Sequence, residues 1–269
     1  MLGIGAVFKN ESHIMIEWIE HYLSHGVSDI HLINDQSTDN ISSIKNYYKD
    51  NQHIIFYDSD VDSGPYCRQI DIYNKYLLPI INKYAWFGIF DLDEFLYSPL
   101  FYNLSDALLN ISDDVHQIHI NWVTFGSNGF INQPTSVVES FNKRISPIND
   151  SYFLSHKSLF RSQDLKSIDI HTHYVEGKSE NYSFVQNLAS PLFLLNHYVI
   201  QSKSFFDTVK ARRGDVNKIV STDYRNDSYF NLYDRKDVID NQLYEQNKDL
   251  INIIKPMIKQ IHKTISFCQ

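Results

Sequence analysis

The chain has 269 residues, 43% hydrophobic and 21% charged, an ordinary balance for a globular protein long enough to bury a core. A net charge of −8 argues against a general nucleic-acid binder, which would carry an excess of basic residues. Two cysteines, Cys67 and Cys268, neither with a C-x-x-C partner, leave no disulfide framework or thiolate zinc site, and nowhere do 18 apolar residues run together to span a membrane.

Residues 2–8 (LGIGAVF) read as a first buried strand, and the start MLGIGAVFKNE lacks the basic region and long apolar run of a signal peptide. A cytoplasmic location is the resulting expectation. The polar Lys9-Asn10-Glu11 ends the strand, and a helix follows. Ile14, Trp18 and Tyr22 form one i,i+4 row on it, Met15, Ile19 and Leu23 the next, and Gly26 stands where a C′ glycine belongs. A second strand is expected over 30–34, ended by Asp35-Gln36-Ser37-Thr38-Asp39. A helix runs through Tyr48, a third strand lies near 53–57, and a long helix covers about 66–84. The strand in WFGIFDLDEF comes next. This β-α-β-α-β-α-β order predicts an α/β fold with a Rossmann-like, mostly parallel sheet. Later the pattern changes. In QIHINW, Ile118, Ile120 and Trp122 alternate with Gln117, His119 and Asn121, and 171–175 and 192–200 also read as strands. No repeat and no Pro/Gly/Ser linker interrupts the chain, so one domain is expected over 1–269.

The apolar run from Trp86 stops at Asp91 and Asp93, with Glu94 beside them. In an extended chain residues i and i+2 point to the same side. The two carboxylates are therefore expected to project together from the strand's C-terminal end, where open α/β sheets place ligands. Carboxylates that close repel each other unless a cation lies between them. A divalent metal serving a phosphate is one reading, a solvated acidic turn the other. Neither G-x-G-x-x-G nor G-x-x-x-x-G-K-[ST] follows the first strand, which argues against a dinucleotide oxidoreductase or a P-loop NTPase. The polar ends of the first two strands would face the same crevice, with Asp35 placed to accept hydrogen bonds from a base or ribose.

Five ordered blocks, KNESHIMIEWIEHYLSHGV, LINDQSTDN, WFGIFDLDEFL, NWVTFGSNGF and LNHYVIQSKSFFDTVKARRG, resemble the family 2-like and family 92 glycosyltransferases over roughly residues 2–214. The resemblance implies a GT-A fold, with a nucleotide-sugar-binding half over 1–98, a mixed acceptor and metal half over 99–214, and a helical extension over 215–269. It implies that Asp91, Asp93 and His197 hold Mn2+ or Mg2+ against the diphosphate of a nucleotide sugar, a UDP-sugar first among these. The sugar would pass to a glycan, a lipid-linked glycan or a glycoprotein. Lys9, Asn10, Glu11 and Asp35 fall on the family's nucleotide-binding positions, and Arg68 on a polar position facing the donor, a surface salt bridge being the other reading for Arg68. Lys203, Lys210 and Arg213 follow His197 and would cover the diphosphate, Lys210 being the one more simply read as solvated. Trp122 and the FGSNG stretch, with Gly126 and Ser127, are assigned to the acceptor: an aromatic ring matches the C–H face of a sugar, and glycine permits close backbone approach. A core tryptophan before a tight turn is the plainer reading. An inverting reaction would need a carboxylate base. Glu94, Glu139 and Asp150 are candidates, with Glu139 where relatives carry an acidic residue.

His171 and His173 would share one side of a strand, as a second metal site or as a structural or acceptor-facing pair. Near the C-terminus, Ile254, Met257, Ile258, Ile261 and Ile265 form an apolar stripe, with Lys255, Lys259 and Lys263 beside it and Pro256 inside. This is either a helix packed on the core or a basic amphipathic helix in peripheral contact with a membrane. Two further functions stay open: a metal-dependent phosphohydrolase using Asp91, Asp93 and the two histidines, and a non-catalytic nucleotide- or carbohydrate-binding module.

Overall fold

The computed structural model describes residues 1–63, 67–146, 155–163, 165–171, 173–175, 183–185, 191–213 and 224–266. The amino-terminal half alternates as its periodicity predicts: β1 (Leu2–Phe8), α1 (Ser12–Ser24), β2 (Asp29–Asn34), α2 (Ile41–Tyr47), β3 (Ile54–Asp58), α3 (Arg68–Tyr76) and β4 (Trp86–Ile89). Strands β1 to β4 pair in parallel in the order β3-β2-β1-β4. Gly26 closes α1 at φ +81°. The helix expected over 66–84 is shorter, because Pro79 disfavours helical backbone at the residue before it. Its remainder is a 3-10 turn over Ile81–Lys83.

The second half adds β5 (Glu94–Tyr97), α4 (Leu104–Leu108), β6 (Gln117–Thr124), α5 (Val137–Ser140), β7 (Lys143–Arg144), β8 (His156–Arg161), β9 (Leu165–Ser167), β10 (Tyr174–Val175), β11 (Ser183–Val185) and β12 (Leu194–His197). Among the described residues the main sheet has nine strands. It continues from β4 through antiparallel β8 and β6, then β12 parallel to β6, then antiparallel β5, while β11 pairs with the first half of β6. The expected strand over 171–175 is confined to Tyr174–Val175, because the His171 backbone and ring both bond to β8 instead. Consecutive strands β4 and β5 thus lie four steps apart, about 19 Å in a flat sheet. The segment joining them is a turn too tight to reach that far, so this half of the sheet curls back and brings β12 to the end of β4.

The chain ends with α6 (Lys203–Phe205), a π-helical turn over Phe206–Lys210, α7 (Ala211–Arg213), α8 (Asp227–Tyr233), β13 (Val238–Ile239) and α9 (Gln242–Ser266). Helix α9 packs on α1, α2 and α5. Ile254 and Ile258 of its apolar stripe are buried, and Met257 and Ile261 pack against the same core. Lys255 pairs with Glu139 at 2.5 Å. The described part of the stripe, from Ile254 to Ile261, is therefore packed against the protein's own core.

Buried histidines are built in as neutral rings. His31 on β2 accepts from the Tyr57 hydroxyl at 3.1 Å through Nδ1 and donates to the Tyr84 hydroxyl at 2.7 Å through Nε2. Burial, against the opposing pull of Asp29, lowers it from 6.5 to about 4. Burial likewise takes His173 to about 3. Between pH 6.5 and 4 the unfolded chain binds protons that these folded rings refuse, so stability is present above pH 6.5 and is lost as pH falls through that window. The thermal midpoint should drop by several degrees from pH 7 to pH 4.5, and His31→Gln should flatten the slope. A midpoint constant over this range would refute the neutral-ring assignment.

Candidate active site at the Asp91–Asp93 turn

After Ile89 the chain turns instead of staying extended. Glu94 N donates to Asp91 O at 3.0 Å, and Asp91 N donates to Glu94 Oε2 at 2.9 Å. The expectation of two aspartates side by side on a strand is thereby corrected: the turn sends them to different partners. Asp91, about one-third exposed, meets Lys157 Nζ at 3.1 Å, and Lys157 also lies 3.9 Å from Glu94. Asp93 is buried. Its Oδ2 accepts from Lys210 Nζ at 2.5 Å, and its Oδ1 faces His197 Nε2 at 3.6 Å. The cations that relieve the carboxylate repulsion here are two lysine ammoniums.

Helix α1 holds the turn from below. Trp18 Nε1 donates to the carbonyls of Asp91 at 3.1 Å and Glu94 at 2.9 Å. The Tyr22 hydroxyl donates to Glu94 O at 3.1 Å and accepts from Leu96 N at 3.0 Å. These residues belong to the i,i+4 row that marks α1 in the sequence, so the helix's buried face serves both core and turn.

Burial opposes ionisation of Asp93, but Lys210 and then His197 outweigh it and hold the carboxyl well below the usual range. Burial raises Glu94 well above its ordinary value, with Lys157 working against the rise. Burial would lower Lys157, yet Asp91 and Glu94 raise it. His197 is lowered, burial first, against the pull of Asp93.

The donor set suits a divalent cation in part. Among the described residues no three His, Cys, Asp or Glu side chains converge on one point. Asp93 Oδ1 and His197 Nε2 do face each other, however, at 3.6 Å. Two ligands of one octahedral ion at about 2.1 Å stand about 3 to 4 Å apart, and Mg2+-type sites commonly combine one or two carboxylates with substrate phosphates. The second ring nitrogen, His197 Nδ1, is buried and has no hydrogen-bond partner among the described residues. Asp93 and His197 therefore fit as two protein ligands, and Asp91, with Oδ2 on Lys157, keeps about a third of its side chain exposed.

The loops after β1 and β2 form the neighbouring crevice. Asn10, at φ +57°, accepts from Thr38 N at 2.7 Å and donates its own N–H to Ser37 Oγ at 3.0 Å. Gln36 and Gln201, on the loops after β2 and β12, also have positive φ, at 57° and 52°. Such backbone costs of order 1–3 kcal/mol in non-glycine residues and gathers at functional loops. Arg68 forks onto Asp35, with NH2 to Oδ1 at 2.5 Å and Nε to Oδ2 at 3.2 Å. The structure thus joins two predicted donor-facing residues to each other. Glu11 is buried between these loops, and Lys9 is half-buried at the end of β1.

A family model for glycosyltransferase family 92 matches residues 4–266. The chain belongs to glycosyltransferase family 92. It is similar to a family 92 protein of Ricinus communis, 22% identical over 219 residues, a match covering 78% of this chain and 37% of that protein. The chain thus matches little more than a third of the length of that curated relative. Its fold is also similar to S. aureus TarS 1-349, with 14% identity, 77% of this chain and 62% of that one covered, and a TM-score of 0.40. The same TarS fragment solved in complex with UDP-GlcNAc gives 17% identity, 60% and 45% coverage, and a TM-score of 0.36.

In this family 92 chain the other predicted residues divide. Trp122 lies beside His197, ring centroids 4.3 Å apart. Gly126 is packed on the Arg235 backbone, where a Cβ would strike a carbonyl oxygen, and Ser127 is buried on Asp234, so both serve the turn itself. Glu139 is engaged by Lys255 on α9, and no described contact joins it to the acidic turn. Lys203 is paired with Asp207 and Asp227 at 2.6 and 2.8 Å, whereas Lys210, read as solvated, is the lysine at Asp93. Asp150 and the Arg213 side chain lie outside the described residues. His171 Nδ1 donates to His156 O at 2.7 Å, and the backbone N–H of His173 donates to Gln117 Oε1 at 2.9 Å, so the two residues are held by different strands. Sequence reasoning missed Lys157. Its one signal is a charge in the strand HKSLF two residues before the buried Leu159, and so on the same face.

Replacing Trp18 with Phe would remove the donor shared by two carbonyls of the turn. We expect Trp18→Phe to lower unfolding free energy by about 2–3 kcal/mol in urea titration, the scale of stranding buried polar groups. A loss below about 0.5 kcal/mol would mean that the turn is held by other contacts.

Proposed function

We propose that this chain transfers a sugar from a nucleotide-diphosphate sugar, a UDP-sugar in the first instance, to a hydroxyl of a glycan, lipid-linked glycan or glycoprotein, and that the reaction depends on Mn2+ or Mg2+. The observation that carries the reading is the convergence of Asp93, His197 and Lys210 at the carboxyl end of β4, beside the stitched loops of β1 and β2. Family 92 membership gives the reaction class. A divalent cation bound by Asp93 and His197 would offset negative charge on the departing diphosphate.

The protein's own groups have separable tasks. The bond between the anomeric carbon and the diphosphate oxygen breaks with its electron pair going to the diphosphate, and the acceptor oxygen takes the carbon and releases a proton. Lys210, the buried ammonium next to Asp93, adds positive charge where the diphosphate would lie. The loops bearing Lys9, Asn10, Glu11 and the Asp35–Arg68 pair hold the nucleoside. Trp122, against His197, offers an apolar ring to a sugar face.

A thermal-shift screen of nucleoside diphosphates and nucleotide sugars, with and without Mn2+, tests this. One nucleotide family should raise the midpoint only with metal, and Asp93→Ala should abolish the rise. A response to metal alone, with release of phosphate from simple esters, would favour a hydrolase and overturn the transferase reading. A second comparison separates the lysines. Lys210→Met should weaken nucleoside diphosphate binding by tenfold or more in calorimetry, while Lys203→Met should stay within about twofold, as expected for a solvated surface pair. Equal losses would return Lys203 to the diphosphate.

A further inference from the structure

We infer that Lys157 is the positioning residue of the acidic turn: its buried ammonium fixes the Asp91 carboxylate, and we place the exposed part of that carboxylate against the donor nucleotide. The inference rests on the transferase reading of the site. Lys157 sits on β8, between β4 and β6, with its partner in register Ile120. It is 1% exposed, so it does not itself reach a ligand in the crevice. Asp91 lies between Lys157 and solvent, with Oδ2 bound to the ammonium at 3.1 Å and about a third of the side chain open.

A lysine is costly to bury, and an apolar replacement of a buried ion pair often leaves stability unchanged or improved. Geometry is the better account of what this one supplies. Asp91 is fixed at three points: its carbonyl by Trp18, its N–H by Glu94 Oε2, and its carboxylate by Lys157. Glu94, which makes the second of these contacts, is itself within 3.9 Å of the same ammonium. One cation thus organises both acids that flank the turn. Without it, the Asp91 carboxylate would lose the ammonium that holds its Oδ2, and its side chain would be free to swing away. Lys210 and His197 attend to Asp93 and leave this task undone.

The test uses the full chain with UDP as probe, GDP and ADP alongside, each with Mn2+, read by calorimetry together with the thermal midpoint. Lys157→Met combined with Glu94→Gln removes the buried ammonium together with the carboxyl 3.9 Å from it, so no fully buried acidic group is left facing an apolar side chain. This double variant should still melt cooperatively, within a few degrees of wild type, but bind the preferred nucleotide at least tenfold more weakly. Lys157→Arg keeps the charge and changes its placement; it should weaken binding at least threefold at an unchanged midpoint, a split that a purely structural role would not give. If the double variant does not fold, the arginine variant decides. Wild-type affinity in a folded variant overturns the inference while the transferase reading stands. Absence of nucleotide binding by wild type overturns the transferase reading, and this inference with it.

Discussion

One indole N–H is shared between two carbonyl oxygens of the acidic turn. Trp18 reaches up from α1 to Asp91 and Glu94, and Tyr22, one helical turn on, takes Glu94 and Leu96. The turn needs this, because it leaves the sheet in a buried setting where unpaired carbonyls are costly. Asp91 and Glu94 can point to one lysine and Asp93 to another from so short a segment because its backbone is held both by its own hydrogen bonds and by α1.

Above that clamp, charge is matched locally. Asp91 and Glu94 share Lys157, Asp93 has Lys210 and His197, and across the crevice Asp35 has Arg68. Pairs this buried contribute little net stability, since desolvation cancels much of their attraction. Their effect is on placement. A ligand bearing phosphates would enter a site where each carboxylate already has its partner, and where the ammonium at Asp93 stands next to the imidazole that would share a metal ion with it.

The parallel half was legible because each of its elements has a clean period. β1 matches its predicted span, and the rows through Trp18 and Met15 are the buried face of α1. The failures have physical causes. Two aspartates one residue apart looked like a strand pair, but i,i+2 logic holds only while the chain stays extended, and the Glu94-to-Asp91 hydrogen bond ends that. Lys203 and Lys210 look alike in sequence; a π-helical turn between them and the acids Asp207 and Asp227 decide which one faces inward. Lys157 could not be paired from sequence because its acids lie on a turn some sixty positions earlier, and strand order across a curled sheet cannot be read from local pattern. Glycines 126 and 129 suggested ligand approach, yet the first is consumed by packing on Arg235.

Helix α9 has a part in the site at one remove. Asn247 accepts from His25 Nε2 and donates to His21 Nδ1, both at 2.8 Å and across 222 and 226 positions, and His21 Nε2 donates in turn to Leu96 O on β5. All three side chains are buried. During synthesis α1 emerges first, and its two imidazoles wait for an amide made more than two hundred residues later. The strands of the parallel half can assemble before then, but the helix that carries Trp18 cannot satisfy its buried polar groups until α9 docks. Contacts so distant in sequence form late. The acidic turn, though encoded in the first hundred residues, is thus braced through α1 by a side chain of the last helix.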